Sequence, residues 1–278
     1  MNRLITLLFV LSFSYSFGQE APGQEEGLSA ESLAEANNPL ADMVAFNVQN
    51  YYYAKLSETP PGTYSNTFWF RYAQPIGPVL IRASMPIQTS PGFDSIENPN
   101  GETRAGTGDF NIFGAWTFIS KPTLTVGAGP LFVFPTASRQ QLGSSQYQAG
   151  AAVIVYASSP KVSGGGLITY QHSYATKKGA GPLPASSLMV AQPFLFVQLG
   201  KGVYTGGAPL WIFDFANGTN HIPLGIRLGK VAKAGNTVFN FFAEPQFTVF
   251  HTGANQPVVQ FFVALNMQFM GGGKKKPN

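Results

Sequence analysis

Cysteine is absent from this sequence of 278 residues, and only 11% of its side chains are charged, which is low enough to be informative. Without cysteine the chain can form no structural disulfide and can carry no lipid on an N-terminal cysteine. The charged fraction is less than half of the roughly one quarter that is usual in soluble domains. The net charge of +4 includes a C-terminal lysine cluster, and no basic stripe occurs elsewhere. We therefore expect no nucleic-acid partner.

Long apolar runs are also missing after the first residues, since none reaches the roughly 18 residues that a membrane helix needs. The opening stretch, MNRLITLLFVLSFSYSFGQE, joins the basic Arg3 to a short apolar run and to small residues at Ser16 and Gly18. This pattern predicts a secretory signal peptide over residues 1–18. We therefore expect an exported protein that does not cross a membrane with helices.

Alternation of apolar and polar side chains is the most frequent pattern in the rest of the chain. In PVVQFFVALNMQFM, residues 257–270, large apolar residues alternate with mostly polar or small ones. A period of two indicates a β-strand, because successive side chains point to opposite faces. Similar runs recur from Phe46 onward, about twelve in all, and most have the roughly 9–11 residues with which a tilted strand crosses a bilayer.

The connections between these runs are of two kinds that alternate along the chain. Five are tight, at 74–78, 120–122, 158–161, 200–202 and 233–236, and the others are mostly longer, at 57–65, 88–106, 136–145, 175–186, 216–220 and 251–256. Short turns at one end and long loops at the other are typical of outer-membrane barrels, whose long loops lie outside the cell. The sequence thus predicts an all-β fold: a closed antiparallel transmembrane β-barrel of about 12 strands in up-and-down order.

The predicted organisation has four parts. They are a signal peptide at 1–18, a periplasmic N-terminal lead-in at 19–44 that can form a short helix, the barrel at 45–270, and a flexible basic tail at 271–278. The last strand is expected to pair with the first. Pro193, Pro209 and Pro245 fall inside predicted strands, where proline removes a ladder hydrogen bond, so we expect bulges or shifted boundaries there. An exported soluble sandwich or lectin-like barrel is the alternative.

The inward face of such a barrel is its polar face, and it is where we expect function. The candidate residues are Lys55, Arg71, Arg82, Asp109, Asn111, Arg227, Asn240, Glu244 and Gln246. Charges of both signs can pair across a narrow lumen, which is a structural role, or line a path for solutes. A barrel of this size lies between the roughly eight strands that side chains fill and the roughly sixteen of an aqueous porin. We therefore expect a constricted or plugged pore.

The three histidines, His172, His221 and His251, all fall near the predicted outer ends of strands. A serine and a histidine on a rim could act on a lipid ester, and three imidazoles could hold a metal. No spacing fixes either geometry, so solvated or interfacial residues are the favoured interpretation. We predict no catalytic residue, no metal and no cofactor.

Five segments, ANNPLADMVAFNVQN, GTGDFNIFGAW, GAGPLFVFPTAS, LMVAQPFLFVQLGKGVY and IPLGIRLGKV, carry a resemblance to a known family. In similar order they resemble segments of the outer-membrane family named for the MetA-pathway of phenol degradation. The resemblance covers nearly the whole mature chain. It implies a β-barrel loosely associated with uptake of aromatic or other poorly soluble compounds. It carries no active-site motif that could be transferred to this chain.

Together these patterns predict a channel or uptake protein in the outer membrane of a Gram-negative bacterium. Small solutes, hydrophobic or aromatic ones among them, are expected to pass by passive diffusion. The expected partners are outer-membrane lipid, the small-molecule solute and the barrel-assembly machinery. The alternatives are an outer-leaflet lipid-modifying enzyme, which needs a Ser–His contact on the rim, and a structural or adhesive barrel, which needs no open lumen.

Overall fold

The computed structural model describes residues 35–91, 98 and 100–270. The predicted signal peptide, the lead-in up to residue 34 with most of its short helix, and the tail at 271–278 lie outside the described residues. Within the described part, no helix is both long enough and apolar enough to cross a membrane.

The described residues form fifteen β-strands and one 3-10 helix. The strands are β1 (Val44–Leu56), β2 (Ser65–Ile76), β3 (Val79–Ser90), β4 (Arg104–Thr107), β5 (Phe110–Lys121), β6 (Leu124–Phe134), β7 (Gln146–Ser158), β8 (Val162–Thr176), β9 (Ser187–Gly200), β10 (Val203–Gly207), β11 (Trp211–Asp214), β12 (Thr219–Gly225), β13 (Arg227–Ala234), β14 (Thr237–Thr252) and β15 (Pro257–Phe269). The 3-10 helix, Gln140–Leu142, lies in the connection between β6 and β7.

Three pairs of consecutive strands each form one interrupted strand of the barrel. Strands β4 and β5 both pair with β3, β10 and β11 both pair with β9, and β12 and β13 both pair with β14. The fifteen strands thus make twelve barrel strands, all in antiparallel pairs. Strand β1 pairs with β15 from Val44 opposite Phe269 to Leu56 opposite Pro257. The predicted closed barrel in up-and-down order is therefore confirmed.

Two of the three prolines lie at interruptions in neighbouring barrel strands. Pro209 lies in the gap between β10 and β11. Pro245 stays inside β14, but its backbone faces the gap between β12 and β13, where Ile226 donates its N–H to the Pro245 carbonyl at 3.2 Å. A residue's N–H and C=O point to the same side of a strand, so the donor that Pro245 lacks would have pointed into that gap. Pro193 lies within the continuous strand β9, opposite Gly166.

The loops sort by length as predicted. Tight connections at 77–78, 122–123, 159–161, 201–202 and 235–236 lie at one end, and those at 57–64, 91–103, 135–145, 177–186, 215–218 and 253–256 lie at the other. The first barrel strand begins, and the last one finishes, at the short-turn end. There Met270 donates its N–H to the Asn236 carbonyl at 2.9 Å.

The outer surface of the barrel is apolar. Large side chains that alternate along the strands are exposed on it, among them Phe68, Tyr72, Ile87, Trp116, Phe118, Leu195, Leu224, Leu228, Phe241, Phe247, Val249, Phe261, Val263, Leu265 and Phe269. The residues between them point inward, and many are buried polar groups: Gln49, Thr67, Ser84, Gln148, Ser163, Arg227, Asn240, Glu244, Gln246, Gln260 and Gln268. This is the reverse of a soluble sandwich, in which the apolar face is buried.

The interior is less uniformly polar than the alternation suggests. One apolar cluster contains Tyr51, Phe196, Tyr204, Phe242 and Phe262. In it the Tyr51 and Phe262 rings stack with their centroids 4.1 Å apart. A second cluster of mainly aliphatic residues gathers around Leu40, which belongs to the lead-in and not to the barrel wall. Both clusters arise because inward side chains of a narrow barrel contact each other, and they leave only part of the lumen open.

Candidate functional site

The short-turn end of the lumen is occupied by the chain's own N-terminal segment, residues 35–41. Its Ala36, Asn38, Leu40 and Ala41 are buried, although no barrel strand includes them. The segment forms a compact turn in which the Asn38 N–H bonds to the Glu35 carbonyl at 3.0 Å and the Leu40 N–H to the Asn38 side chain at 2.9 Å. This part of the lead-in therefore lies inside the barrel, where the sequence predicted only a periplasmic extension.

Leu40 inserts into a pocket of the wall that small residues leave open. It packs in one cluster with Leu80, Phe113, Ala115 and Ala152. A β-carbon added at Gly127 would lie 3.1 Å from a Leu40 methyl group. The small side chains of Ala115 and Ala152 and the missing side chain of Gly127 leave room for Leu40 at this place in the wall.

Asn240 of β14 holds the other part of the segment by hydrogen bonds. Its amide nitrogen donates to the Ala36 carbonyl at 3.2 Å and to the Asn37 side chain at 3.0 Å. Its carbonyl accepts a bond of 2.8 Å from the Tyr204 hydroxyl. The Tyr204 ring reaches Asn240 across Gly229, where an added β-carbon would lie 2.3 Å from the ring. Asn240 is thus a fixed anchor for the segment and not a free polar group of the lumen.

The segment separates two cavities. A cavity of about 740 Å³ lies at the short-turn mouth, bordered by Thr117, Lys121 and Tyr156 among others. A smaller cavity of about 150 Å³ lies deeper in the lumen. Residues Asn38 and Ala41 of the segment line both cavities, so the segment forms the partition between them.

Arg227 and Glu244 form a buried ion pair deeper in the lumen. The Arg227 Nε donates to Glu244 Oε2 at 2.7 Å. The carboxylate also accepts the Gln246 side-chain amide at 2.6 Å and the backbone N–H of Ala208, 3.1 Å from each oxygen. Ala208 lies in the gap between β10 and β11, so its N–H has lost its ladder partner there. Glu244 therefore neutralises the buried Arg227 guanidinium and also accepts the Ala208 N–H, which has no strand partner at the gap.

Aromatic rings surround the Arg227 guanidinium. Its central carbon lies 3.5 Å from the ring centroid of Phe242, 5.0 Å from that of Phe196 and 5.3 Å from that of Phe262. The electron-rich faces of these rings add favourable electrostatic contact to the ion pair. The position of Arg227 is thereby fixed, which agrees with a structural role for this pair of charges.

Arg71 and Arg82 have a different environment. Arg71 donates to the Gln49 side chain, whose own amide donates to Asn266 at 3.1 Å. The Arg71 guanidinium lies 5.0 Å from the Trp69 ring centroid, and that of Arg82 lies 4.3 Å from the Phe113 ring centroid. Among the described residues, neither arginine forms an ion pair with a carboxylate. Together with Arg227, both line the cavity of about 150 Å³.

Two predicted lumen residues are corrected by the structure. Lys55 is exposed, and a register shift after Tyr53 puts it opposite Val259, which belongs to the outward row of β15. A single extra residue moves every later side chain of a strand to the other face, and the alternation of the sequence does not reveal this bulge. Asp109 lies just before β5 and bonds the backbone of the 135–145 connection, through Ser144 at 2.7 Å and Ala137 at 3.1 Å. It fixes a long loop and does not line a path.

The remaining predicted residues lie on the inward rows. Asn111 is opposite Ser84, and Gln246 accepts a hydrogen bond from Gln260. The structure brings Arg71, Arg82, Arg227 and Asn240 together around one cavity. Glu244 accepts hydrogen bonds from Arg227 and from the Gln246 side-chain amide. Their use by a solute stays a prediction.

The histidines do not form one site. His221 and His251 lie opposite each other on β12 and β14, and the His221 Nε2 is 2.8 Å from the Thr248 hydroxyl. His172 is exposed on β8, and no hydrogen bond in the described part of the chain joins it to a serine. The same part contains no group of three histidine, aspartate or glutamate side chains that could hold a metal ion.

Sequence reasoning missed the N-terminal segment, Tyr204 and Gln49 as parts of this site. The segment has no alternation and carries a proline, so its sequence indicates a lead-in and not a strand. Tyr204 and Gln49 occupy inward positions of predicted strands, and their alternation was the signal that could have found them. What they contact depends on strands far away in the sequence.

The barrel is similar to solved outer-membrane structures. The COG4313 outer membrane channel from Pseudomonas putida F1 superposes with a TM-score of 0.58 at 10% sequence identity, covering 84% of this chain and 97% of that one. The NanC porin superposes with a TM-score of 0.48 at 8% sequence identity, covering 81% of this chain and 98% of that one. The KdgM porin superposes with a TM-score of 0.45 at 7% sequence identity, covering 81% of this chain and 99% of that one. Both are too distant to support a conclusion about function. The first likeness shows a shared barrel fold.

No model of a protein family and no curated protein matches the sequence. The resemblance to the family named for the MetA-pathway of phenol degradation is therefore not confirmed.

Proposed function

We propose that this chain is an outer-membrane channel of a Gram-negative bacterium, through which small solutes pass by passive diffusion. The observation that carries the proposal is the inverted barrel, with large apolar side chains exposed outside and polar groups buried inside. An exposed apolar surface of this extent needs lipid around it, and a closed barrel leaves no sheet edge unsatisfied there. Outer-membrane lipid would be its surroundings, and the barrel-assembly machinery would insert it.

The lumen supports a channel that is closed in this state by the N-terminal segment. The segment is held by Leu40 in its wall pocket and by the Asn240 hydrogen bonds, and the Gln268 side chain donates to the Glu35 carbonyl at 3.5 Å. None of its residues belongs to a barrel strand. Displacing it would join the two cavities without breaking a strand pair. We therefore propose that the segment is the plug of the pore.

The deep cavity favours solutes that have an apolar part. Phe194, Phe196, Phe242 and Phe262 contribute to its lining beside the arginines and side-chain amides. Flat apolar groups can stack on such rings, whereas strongly hydrated sugars would leave the rings unmatched. We propose small hydrophobic or aromatic solutes as the class that this lumen passes. The COG4313 neighbour bears the description of a channel, which agrees with the same class of function.

The enzyme alternative has less support. It requires a nucleophile in hydrogen-bond contact with a base. Ser173, next to His172, accepts a bond from the Ser186 backbone at 2.9 Å, and Ser187 bonds the Tyr170 hydroxyl at 3.1 Å. Neither serine is bonded to a histidine among the described residues, so no observation favours this function.

Single-channel recording in planar bilayers tests the proposal. The intact protein is expected to show small or infrequent openings, and a variant that lacks residues 35–41 is expected to show openings several times larger. The matched control removes residues 179–183 from an exposed long loop, which should leave the conductance unchanged. Folding of each variant is checked by its shift on unheated SDS gels. Absence of conductance in the folded deletion variant would refute the channel.

A further inference from the structure

The positive charge around the deep cavity is not balanced. Three guanidinium groups line it, from Arg71, Arg82 and Arg227, and among the described residues only Arg227 has a carboxylate partner, Glu244. The Nε atoms of Arg71 and Arg82 are buried and have no hydrogen-bond partner in the same part of the chain. Buried donors of an ionised group that stay unbonded are costly, and in native proteins they usually have a partner. The charges of Arg71 and Arg82 are therefore unmatched, and an anion in the cavity that both residues line would offset them.

The two unpaired arginines are neighbours on the wall. Arg71 lies opposite Ser84 on β3, and Arg82 is two positions from Ser84 on the same strand. Such diagonal positions lie roughly 7–8 Å apart, within reach of long side chains, and like charges placed near each other repel. An anion between them would turn this repulsion into attraction, and two planar forks could bind a carboxylate or a phosphate.

Each of the two guanidinium groups is held from one side only. Arg71 donates to Gln49 and lies beside the Trp69 ring, while Arg82 lies beside the Phe113 ring and makes no hydrogen bond to a described residue. Both residues line the cavity. The arginines are thus positioned by aromatic contacts while several N–H groups stay available for a ligand.

The rest of the cavity selects among anions. Its volume of about 150 Å³ is that of about five water molecules in the liquid, which suits a small anion. Beside the arginines lie the amides of Asn47, Asn266 and Gln268 and the Phe194 ring. The lining therefore offers both hydrogen-bond donors for an oxyanion and an apolar surface.

We propose that the deep cavity is a binding site for a small organic carboxylate with an apolar body, in which Arg71 and Arg82 bind the carboxylate group. This inference rests on the proposed channel function and names its solute class: the plug would close the channel over an occupied site. Inorganic phosphate is an oxyanion without an apolar part. Comparing its affinity with that of an aromatic carboxylate therefore shows how much the apolar part contributes to binding.

Equilibrium binding to the full mature chain in detergent tests this inference, with benzoate as the carboxylate and benzamide as its uncharged counterpart of nearly equal shape. Calorimetry in a buffer of low chloride should show saturable binding of benzoate. Benzamide and phosphate should each bind with an affinity roughly tenfold lower than that of benzoate, or lower still. Equal affinity for benzoate and benzamide would overturn the role of the charge. Equal affinity for benzoate and phosphate would overturn the role of the apolar part.

Variants assign the binding to the proposed residues. Arg82→Gln should weaken benzoate binding roughly tenfold or more, because it removes a charge-assisted contact. Arg82→Lys keeps the charge and the fold but loses the planar fork, so intermediate affinity is expected. The matched control is Arg139→Gln in an exposed long loop, which should bind benzoate like the intact protein. Unchanged binding in both Arg82 variants would refute the site.

The binding experiment needs no ion flow, so its result is independent of the channel proposal. Benzoate binding that is lost on substitution of Arg82 would establish the site even in a barrel that never conducts. A barrel that conducts after removal of residues 35–41 but does not bind benzoate would keep the channel and refute the carboxylate site.

Discussion

Arg227 and Glu244 lie on neighbouring strands and form an ion pair of 2.7 Å, with their side chains only 5% and 0% exposed. The pair lies beside the gaps in two barrel strands, where Glu244 also accepts the backbone N–H of Ala208. The interrupted strands and the buried charges are therefore one structural unit. A carboxylate fills the place of the ladder acceptor, and a guanidinium neutralises the carboxylate.

Removal of the Glu244 carboxylate is expected to destabilise the barrel. Glu244→Ala leaves Arg227 buried without a counter-charge and Ala208 without an acceptor, and loss of one partner of a buried pair costs roughly 3–5 kcal/mol. Urea unfolding in lipid vesicles measures the change. The control is Glu102→Ala, which removes the exposed partner of Arg104 and should cost at most about 1 kcal/mol. Equal losses for both variants would contradict a structural role for the buried pair.

Arginine substitutions on β5 test which face meets lipid. Trp116 is exposed on the outer surface, whereas Thr117 borders the cavity at the short-turn mouth. Trp116→Arg should lower the free energy of unfolding by up to roughly 4 kcal/mol, because lipid cannot solvate the charge. Thr117→Arg places the same charge in an open cavity and should be tolerated much better. If Thr117→Arg proved the more damaging variant, the lipid face would have been assigned to the wrong side.

Loss of the Asn240 side chain should loosen the plug. Asn240→Ala removes both hydrogen bonds to the segment, so we expect more frequent openings in planar bilayers and a stability loss of about 1–3 kcal/mol. Tyr204→Phe is the control, since it removes the bond to Asn240 but leaves the bonds to the segment in place. It should lower stability without raising the frequency of openings. Equal gating in the two variants would mean that Asn240 does not hold the plug.

Single cysteines can establish the orientation, because the natural chain contains none. Lys178 is exposed in a long loop, and Lys233 is exposed beside a tight turn at the opposite end. A membrane-impermeant maleimide should label Lys178→Cys on intact cells and should label Lys233→Cys only after the outer membrane is permeabilised. The opposite pattern would place the long loops in the periplasm.

The sequence by itself determined the barrel. Strand positions, the outward apolar face, the sorting of short and long connections and the pairing of the last strand with the first all follow from local alternation and turn residues. These features are local because a lipid environment imposes one rule on every strand: apolar side chains must point outward and every backbone group must be bonded. Residues such as Phe241 and Leu265 therefore reveal their direction without knowledge of their neighbours.

Only the tertiary structure decided what fills the barrel. Register shifts moved Lys55 outward and set His251 opposite His221, and no local pattern marks these shifts. Residues 35–41 lie inside the barrel because Leu40 fits a wall pocket and Asn240, about two hundred positions away, bonds the segment. The charges on the inward rows were visible in the sequence, but their partners were not. Curvature and register bring distant strands together in a lumen, so Arg227 meets Glu244, while Arg71 and Arg82 line a cavity and form no ion pair with any described carboxylate.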